Sequence, residues 1–198
     1  MKKKRYLYWL LAFLFCFALG CSIYKDTINT ENPEQVEIID SGTYYRIYKG
    51  SMNQVCYNIY NSKGGVVLSQ KTDRPLKINM INNIVDIEIG MGTGIATHKY
   101  YSVDKNIFSQ EFSYVLSNFE QLVAYINVPD ERPLENRKIV VQNIFDKRLF
   151  YKEFQLDFSF VDTPVVEAEF SKDGTCLQLT YLSGKMQTQV STTLNLIQ

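Results

Sequence analysis

Val103-Asp104-Lys105-Asn106-Ile107-Phe108-Ser109-Gln110-Glu111-Phe112 returns 42 residues later as Phe145-Asp146-Lys147-Arg148-Leu149-Phe150-Tyr151-Lys152-Glu153-Phe154, with five of ten positions identical. A fainter copy stands upstream, Asn61-Ser62-Lys63-Gly64-Gly65-Val66-Val67-Leu68-Ser69-Gln70. Each copy reads as the end of one strand, a tight polar turn and the start of a second strand. A period of ~40–45 residues is the length of one four-stranded sheet in a repeat architecture. A second echo supports the period. Glu111-Phe112-Ser113-Tyr114-Val115 comes back as Asp157-Phe158-Ser159-Phe160-Val161, 46 residues on, so four residues have been added between the two echoes.

Working outward, short alternating runs separated by Gly, Asn and Asp clusters fill the chain. They lie at residues 36–39, 43–48, 55–61, 66–71, 76–81, 84–89, 96–103 and 107–112, then at 114–117, 122–128, 138–145 and 149–154, and finally at 164–170, 175–181 and 186–197. This is the pattern of successive hairpins. Asp40-Ser41-Gly42, Lys63-Gly64-Gly65, Asn82-Asn83, Asp104-Lys105-Asn106 and Asp173-Gly174 are the expected turns. Residues 129–137 are charged, contain two prolines and read as a solvated loop. Residues 116–122 are the one place where a short helix competes, and the flanking strands outweigh it. Grouped by the period, the strands form four sets, 35–72, 76–112, 113–158 and 164–197, the last with three strands.

Phe170-Ser171-Lys172-Asp173-Gly174-Thr175 resembles the Phe-Ser-Pro-Asp-Gly turns of TolB-like and WD-type β-propeller blades. Lys172 stands where those families carry proline, no Trp-Asp ending occurs, and Trp9 is the only tryptophan. The resemblance implies blade-like geometry and brings no functional residue with it. The expected fold is all-β, repeated antiparallel sheets in a four-blade propeller-like arrangement, with a curved β-sandwich as the alternative. On that expectation Phe108 and Phe112, four apart on one strand, share a face, as do Phe150 and Phe154. Stacking sheet on sheet hides such rings, at ~1.5–3 kcal/mol for each large apolar side chain.

The chain opens with Lys2-Lys3-Lys4-Arg5, an apolar run over 6–19, then Gly20-Cys21-Ser22. Charged, apolar and small segments in that order make a secretory signal peptide, and the apolar run is shorter than the ~20 residues of a spanning helix. Ala18-Leu19-Gly20-Cys21 resembles the lipobox of bacterial membrane lipoproteins, with Ala18 in place of the usual leucine. The resemblance implies acylation of Cys21, for example with palmitate, removal of residues 1–20, and an anchor in the cell membrane, or in the outer membrane of a Gram-negative cell. Cys16, preceded by Phe15, fits that pattern poorly. The expected organisation is a signal peptide at 1–20, a flexible polar tether at 21–34 and a β-repeat ectodomain at 35–198. Its location would be extracytoplasmic.

Formal neutrality hides an acidic ectodomain. Four of the 21 basic residues are Lys2, Lys3, Lys4 and Arg5, which leaves 17 basic residues against 21 acidic ones from residue 21 onward. No basic patch marks a nucleic-acid partner. Cys56 and Cys176 remain after Cys16 and Cys21 are set aside. Outside the cytoplasm they admit a disulfide, and two small buried hydrophobes are the other reading. No C-x-x-C or H-x-x-H spacing points to a metal, and no cofactor is expected.

The sequence carries several chemical motifs with bland alternatives. Gly90-Met91-Gly92-Thr93-Gly94 has the composition of a phosphate loop, but a strand-like run follows it, so a tight crossing between strands is expected. His98 is the sole histidine, and a Ser-His-Asp site would have to use it. Ser102 points the same way on the same strand, ~13 Å distant. Asp86 with Glu88, and Glu167 with Glu169, have the spacing of paired carboxylates in glycoside cleavage, or of a strand's solvated face. Tyr44, Tyr48, Tyr57, Tyr100 and Tyr101 belong to a tyrosine cluster that would suit a protein- or glycan-binding surface, or inter-sheet packing. The expected function is a membrane-anchored binding or scaffold module. The alternatives are a cell-envelope enzyme of glycoside-cleaving type and an accessory subunit of an envelope or transport complex.

Overall fold

The structure is a computed structural model that describes residues 36–92, 94–128 and 137–197. The signal peptide, Cys21 and the tether lie outside the described residues, as does most of the expected loop at 129–137. Every regular element described is a strand: β1 (Ile38–Gly42), β2 (Tyr45–Lys49), β3 (Val55–Tyr60), β4 (Val66–Thr72), β5 (Leu76–Ile81), β6 (Ile84–Gly90), β7 (Ala96–Ser102), β8 (Ile107–Ser113), β9 (Val115–Phe119), β10 (Leu122–Asn127), β11 (Lys138–Asn143), β12 (Tyr151–Gln155), β13 (Val165–Phe170), β14 (Cys176–Ser183) and β15 (Thr188–Asn195).

They form four antiparallel meanders in chain order, β1-β2-β3-β4, β5-β6-β7-β8, β9-β10-β11-β12 and β13-β14-β15. The repeated decapeptide occupies one structural position. Asn61, Asp104 and Asp146 all sit in the turn between the third and fourth strands of their sheet. The Asn61 side chain accepts the N–H groups of Lys63 and Gly65, and Asp146 accepts that of Arg148. These are Asx-type turns, which explains why Asn and Asp recur there. The first turn lies two residues later than the sequence indicates. Asp40, Ser41 and Gly42 belong to β1, and Thr43-Tyr44 makes the turn.

The sheets pack face to face in sequence order. Tyr45, Ile47, Tyr57 and Ile59 of the first sheet meet Ile78, Val85, Ile87 and Tyr101 of the second. Ile84, Tyr100 and Phe112 on the other face of the second sheet meet Val123 of the third. Ala124, Ile126, Ile139 and Val141 on the far face of the third meet Phe170, Leu177, Leu179 and Tyr181 of the fourth. Both middle sheets are covered on both faces, so β6 and β11 are buried at successive residues and not only at alternate ones. Among the described residues no buried cluster joins the fourth sheet to the first. The result is a propeller-like arc of four sheets that does not close.

Two local corrections follow from the register. β8 carries one extra residue opposite β7: Tyr101 pairs with Phe108, yet Lys99 pairs with Glu111. This bulge turns Phe108 and Phe112 to opposite faces. Phe108 packs in the junction of the first and second sheets and Phe112 in that of the second and third. Phe150 and Phe154 keep a common side, against the core of the third and fourth sheets. Arg137 is buried, not solvated; its Nη1 donates to the carbonyls of Val161 and Asp162 and pins the connector between β12 and β13.

Candidate functional site

On β6, alternation sends Ile84, Asp86 and Glu88 toward the third sheet. On β7 the same face carries His98 and Tyr100. The β6–β7 register sets Glu88 opposite His98 and Asp86 opposite Tyr100. Asp86 is 3% exposed, and its Oδ1 lies 2.9 Å from Nδ1 of His98 across the diagonal. The His98 side chain retains 14% exposure. A buried carboxylate on Nδ1 fixes the ring's orientation and leaves Nε2 as its remaining polar atom.

Tyr100 stacks beside the imidazole, with ring centroids 6.2 Å apart. It is wholly buried, and although Asn118 lies alongside, its hydroxyl makes no hydrogen bond of ordinary geometry among the described residues. Burial drives the phenol well above its ordinary pKa, and the Asp86 carboxylate adds to the effect.

Beside this pair lies a recess of about 220 Å³ at the meeting of three sheets. Glu88 and His98 line it from the second sheet, Val115 and Ile126 from the third, and Asp162 and Val165 from the connector and first strand of the fourth. The lining contains two carboxylates and no lysine or arginine. The β6–β7 connector contributes Gly94, Ile95 and Ala96. Its glycines serve the strand crossing expected of them: Gly92 and Gly94 have φ of 87° and 75°, and Met91 N–H donates to Ile95 O.

The other sequence candidates are dispersed. Tyr57 and Tyr101 are buried between the first and second sheets, and Tyr100 between the second and third. Tyr44 packs against the first of these cores. Only Tyr48 lies on the outer face of the first sheet, its hydroxyl 3.0 Å from that of Tyr60, with the Arg46 guanidinium 5.7 Å over the Tyr60 ring. The five tyrosines therefore share no surface: Tyr44, Tyr57 and Tyr101 pack at the first junction, Tyr100 at the second, and Tyr48 faces outward. Cys56 and Cys176 are free thiols, one on β3 of the first sheet and one on β14 of the fourth, so the admitted bridge is not made.

Glu167 and Glu169 lie on the outer face of the fourth sheet, in a polar recess of about 320 Å³ with Gln178, Thr180, Ser191 and Thr193. Asp86 and Glu88 do not act as a matched pair: one is committed to His98, the other lines the recess. Among the described residues no group of three or more His, Cys, Asp or Glu is placed to hold a metal ion. The Asp86–His98 bond was missed from sequence because the two residues are joined only by strand register across a glycine-rich crossing. No protein-family model matches the chain, and no curated protein matches it in sequence.

Proposed function

We propose that this chain is a lipid-anchored, extracytoplasmic binding module whose ligand site is the recess beside His98. The observation that carries the reading is the lining of that recess. Three sheets contribute to it, a buried Asp86 orients the only histidine, and Glu88 makes no ion pair among the described residues. A glycoside-cleaving enzyme needs two carboxylates facing one substrate, and Asp86 is buried and bonded to His98. The lipobox-like Ala18-Leu19-Gly20-Cys21 supports the anchor.

The anchor is tested by growth with alkyne-tagged palmitate. Wild type is labelled and sediments with membranes, whereas Cys21→Ala is unlabelled. Equal labelling of the two chains overturns it. Binding is tested by nuclear magnetic resonance of the His98 imidazole, which has no histidine overlap, during titration with solubilised cell-envelope fractions. Shifts that saturate support the site. Spectra unmoved by every fraction overturn it.

An envelope enzyme is the second reading, favoured by one feature, the polar recess that holds Glu167 and Glu169. Glu167→Gln and Glu169→Gln abolish turnover of an envelope glycan if that reading holds. They leave binding at His98 untouched if the first holds.

A further inference from the structure

We infer that the recess takes an alkylammonium group, a protonated amine on a short aliphatic stem; this rests on the recess being the ligand site. Charge is the first argument. Glu88 and Asp162 bring two carboxylates to the lining, and no cationic side chain faces them there. Neither carboxylate makes an ion pair or side-chain hydrogen bond among the described residues, and Asp162 engages Arg137 only through its backbone carbonyl. Glu88 is half-buried and Asp162 is exposed, so a bound cation gains most from meeting Glu88.

Hydrogen-bond capacity is the second argument. In the neutral tautomer that carries its proton on Nδ1 toward Asp86, Nε2 of His98 is an acceptor, so the polar side of the recess offers carboxylate oxygens and a lone pair beside the hydroxyl-bearing Tyr114 and Thr163. An ammonium has three donors and no acceptor, which matches that set. A carboxylate, with no donor, does not match it, and a hydroxyl brings one donor and no charge.

Shape is the third. Val115, Leu116, Ile126 and Val165 supply aliphatic lining in the same recess. At about 220 Å³ the recess is smaller than the ~300–1,000 Å³ of drug-sized sites. It suits a single side chain or a small amine, with methylenes on that lining and the charged end at Glu88. The same chemistry is presented by a lysine side chain of a peptide and by a free diamine.

The test uses the full-length mature chain in detergent micelles, with the His98 imidazole as reporter. Pentylammonium is titrated beside its isosteres pentan-1-ol and pentanoate. The expected result is saturable shifts with pentylammonium alone, weakened about ten-fold or more in Glu88→Gln, a loss of about 1.4 kcal/mol. Unchanged affinity in Glu88→Gln, or equal binding of pentanol or pentanoate, overturns the inference. Nα-acetyl-lysine amide and 1,5-diaminopentane then separate the two sources, the tighter binder naming the class. If no amine moves His98 while an envelope fraction does, the site stands and the ammonium assignment falls. If neither moves it, both fall.

Discussion

Phe108 and Phe112 stand four residues apart on β8 and face opposite neighbours, Phe108 the first sheet and Phe112 the third. The bulge between them is held by one side chain. Ser109 Oγ accepts the backbone N–H of Tyr100 at 2.9 Å and donates to the carbonyl of Gln110 at 2.5 Å. It thereby takes over a ladder bond that the extra residue interrupts. Ser109 is buried, so Ser109→Ala leaves the Tyr100 N–H without a partner or water. The expected loss is about 1–3 kcal/mol, read from the urea midpoint by circular dichroism. Ser109→Thr keeps the hydroxyl and recovers most of it. An unchanged midpoint in the alanine variant would remove the hydroxyl from the account of the bulge.

That bulge also marks where the sequence stops being legible. The repeat was readable because Asp and Asn recur at turns for backbone reasons, and those reasons hold in every sheet. Hairpin order followed from it, and so did the three-stranded last sheet. Which face a side chain takes did not follow, since the copies differ at several positions and nothing in them but the small Ser109 opposite the large Tyr151 hints that one strand has gained a residue. The contact between Asp86 and His98 was hidden for a different reason: the chain folds back through Gly90–Gly94, and register there is set by both sheet faces together. The burial of Tyr57 was partly legible, since Tyr45, Ile47, Tyr57 and Ile59 alternate in step on β2 and β3. Adjacent Tyr100 and Tyr101 are both buried because their sheet is covered on both sides, a fact of the stack.

Gly174 ties the β13–β14 hairpin to the third sheet. Its φ is 67°, and a Cβ there would lie 2.6 Å from the Phe119 ring, which packs against Phe170 at a centroid distance of 6.0 Å. Gly64 has a similar φ of 77° with open space where a Cβ would go. Both alanine variants carry the left-handed penalty of about 1–2 kcal/mol, and only Gly174→Ala adds displacement of Phe119. Thermal unfolding should therefore place Gly174→Ala clearly below Gly64→Ala. Equal melting temperatures would show that Phe119 yields without cost.

Two turn aspartates, Asp173 and Asp146, set part of the acid limb of stability. Hydrogen bonds from Ser171 and Thr175 hold the Asp173 carboxyl down to about 2, and the Arg148 side chain does the same for Asp146. A folded-state value below the unfolded one favours the ionised native form. The stabilisation is fully present above the ordinary carboxylate value of 3.8 and is lost as pH falls through about 2. Asp173→Ala should melt below wild type at neutral pH, with the gap closing as pH approaches the folded value. A gap independent of pH would mean that ionisation of Asp173 is not what stabilises the turn.

The bond between Asp86 and His98 makes a prediction that separates structure from orientation. Asp86→Ala removes the acceptor and leaves a largely buried imidazole N–H unpaired, at about 1–3 kcal/mol. Asp86→Asn keeps an oxygen at the same place and should cost less. If stability were the whole role, ligand affinity at the recess would track the folded fraction in both variants and return to wild type where both are fully folded. Asp86 also fixes which ring nitrogen carries the proton, so a second readout must move as well. Nitrogen chemical shifts of His98 should report the proton on Nδ1 in wild type and in Asp86→Asn. They should report a proton redistributed between the nitrogens in Asp86→Ala, with alkylammonium binding weakened in proportion, because Nε2 then ceases to be a dedicated acceptor. An Asp86→Ala chain that is folded, keeps the Nδ1 tautomer and binds as wild type would leave the carboxylate a packing partner and nothing more.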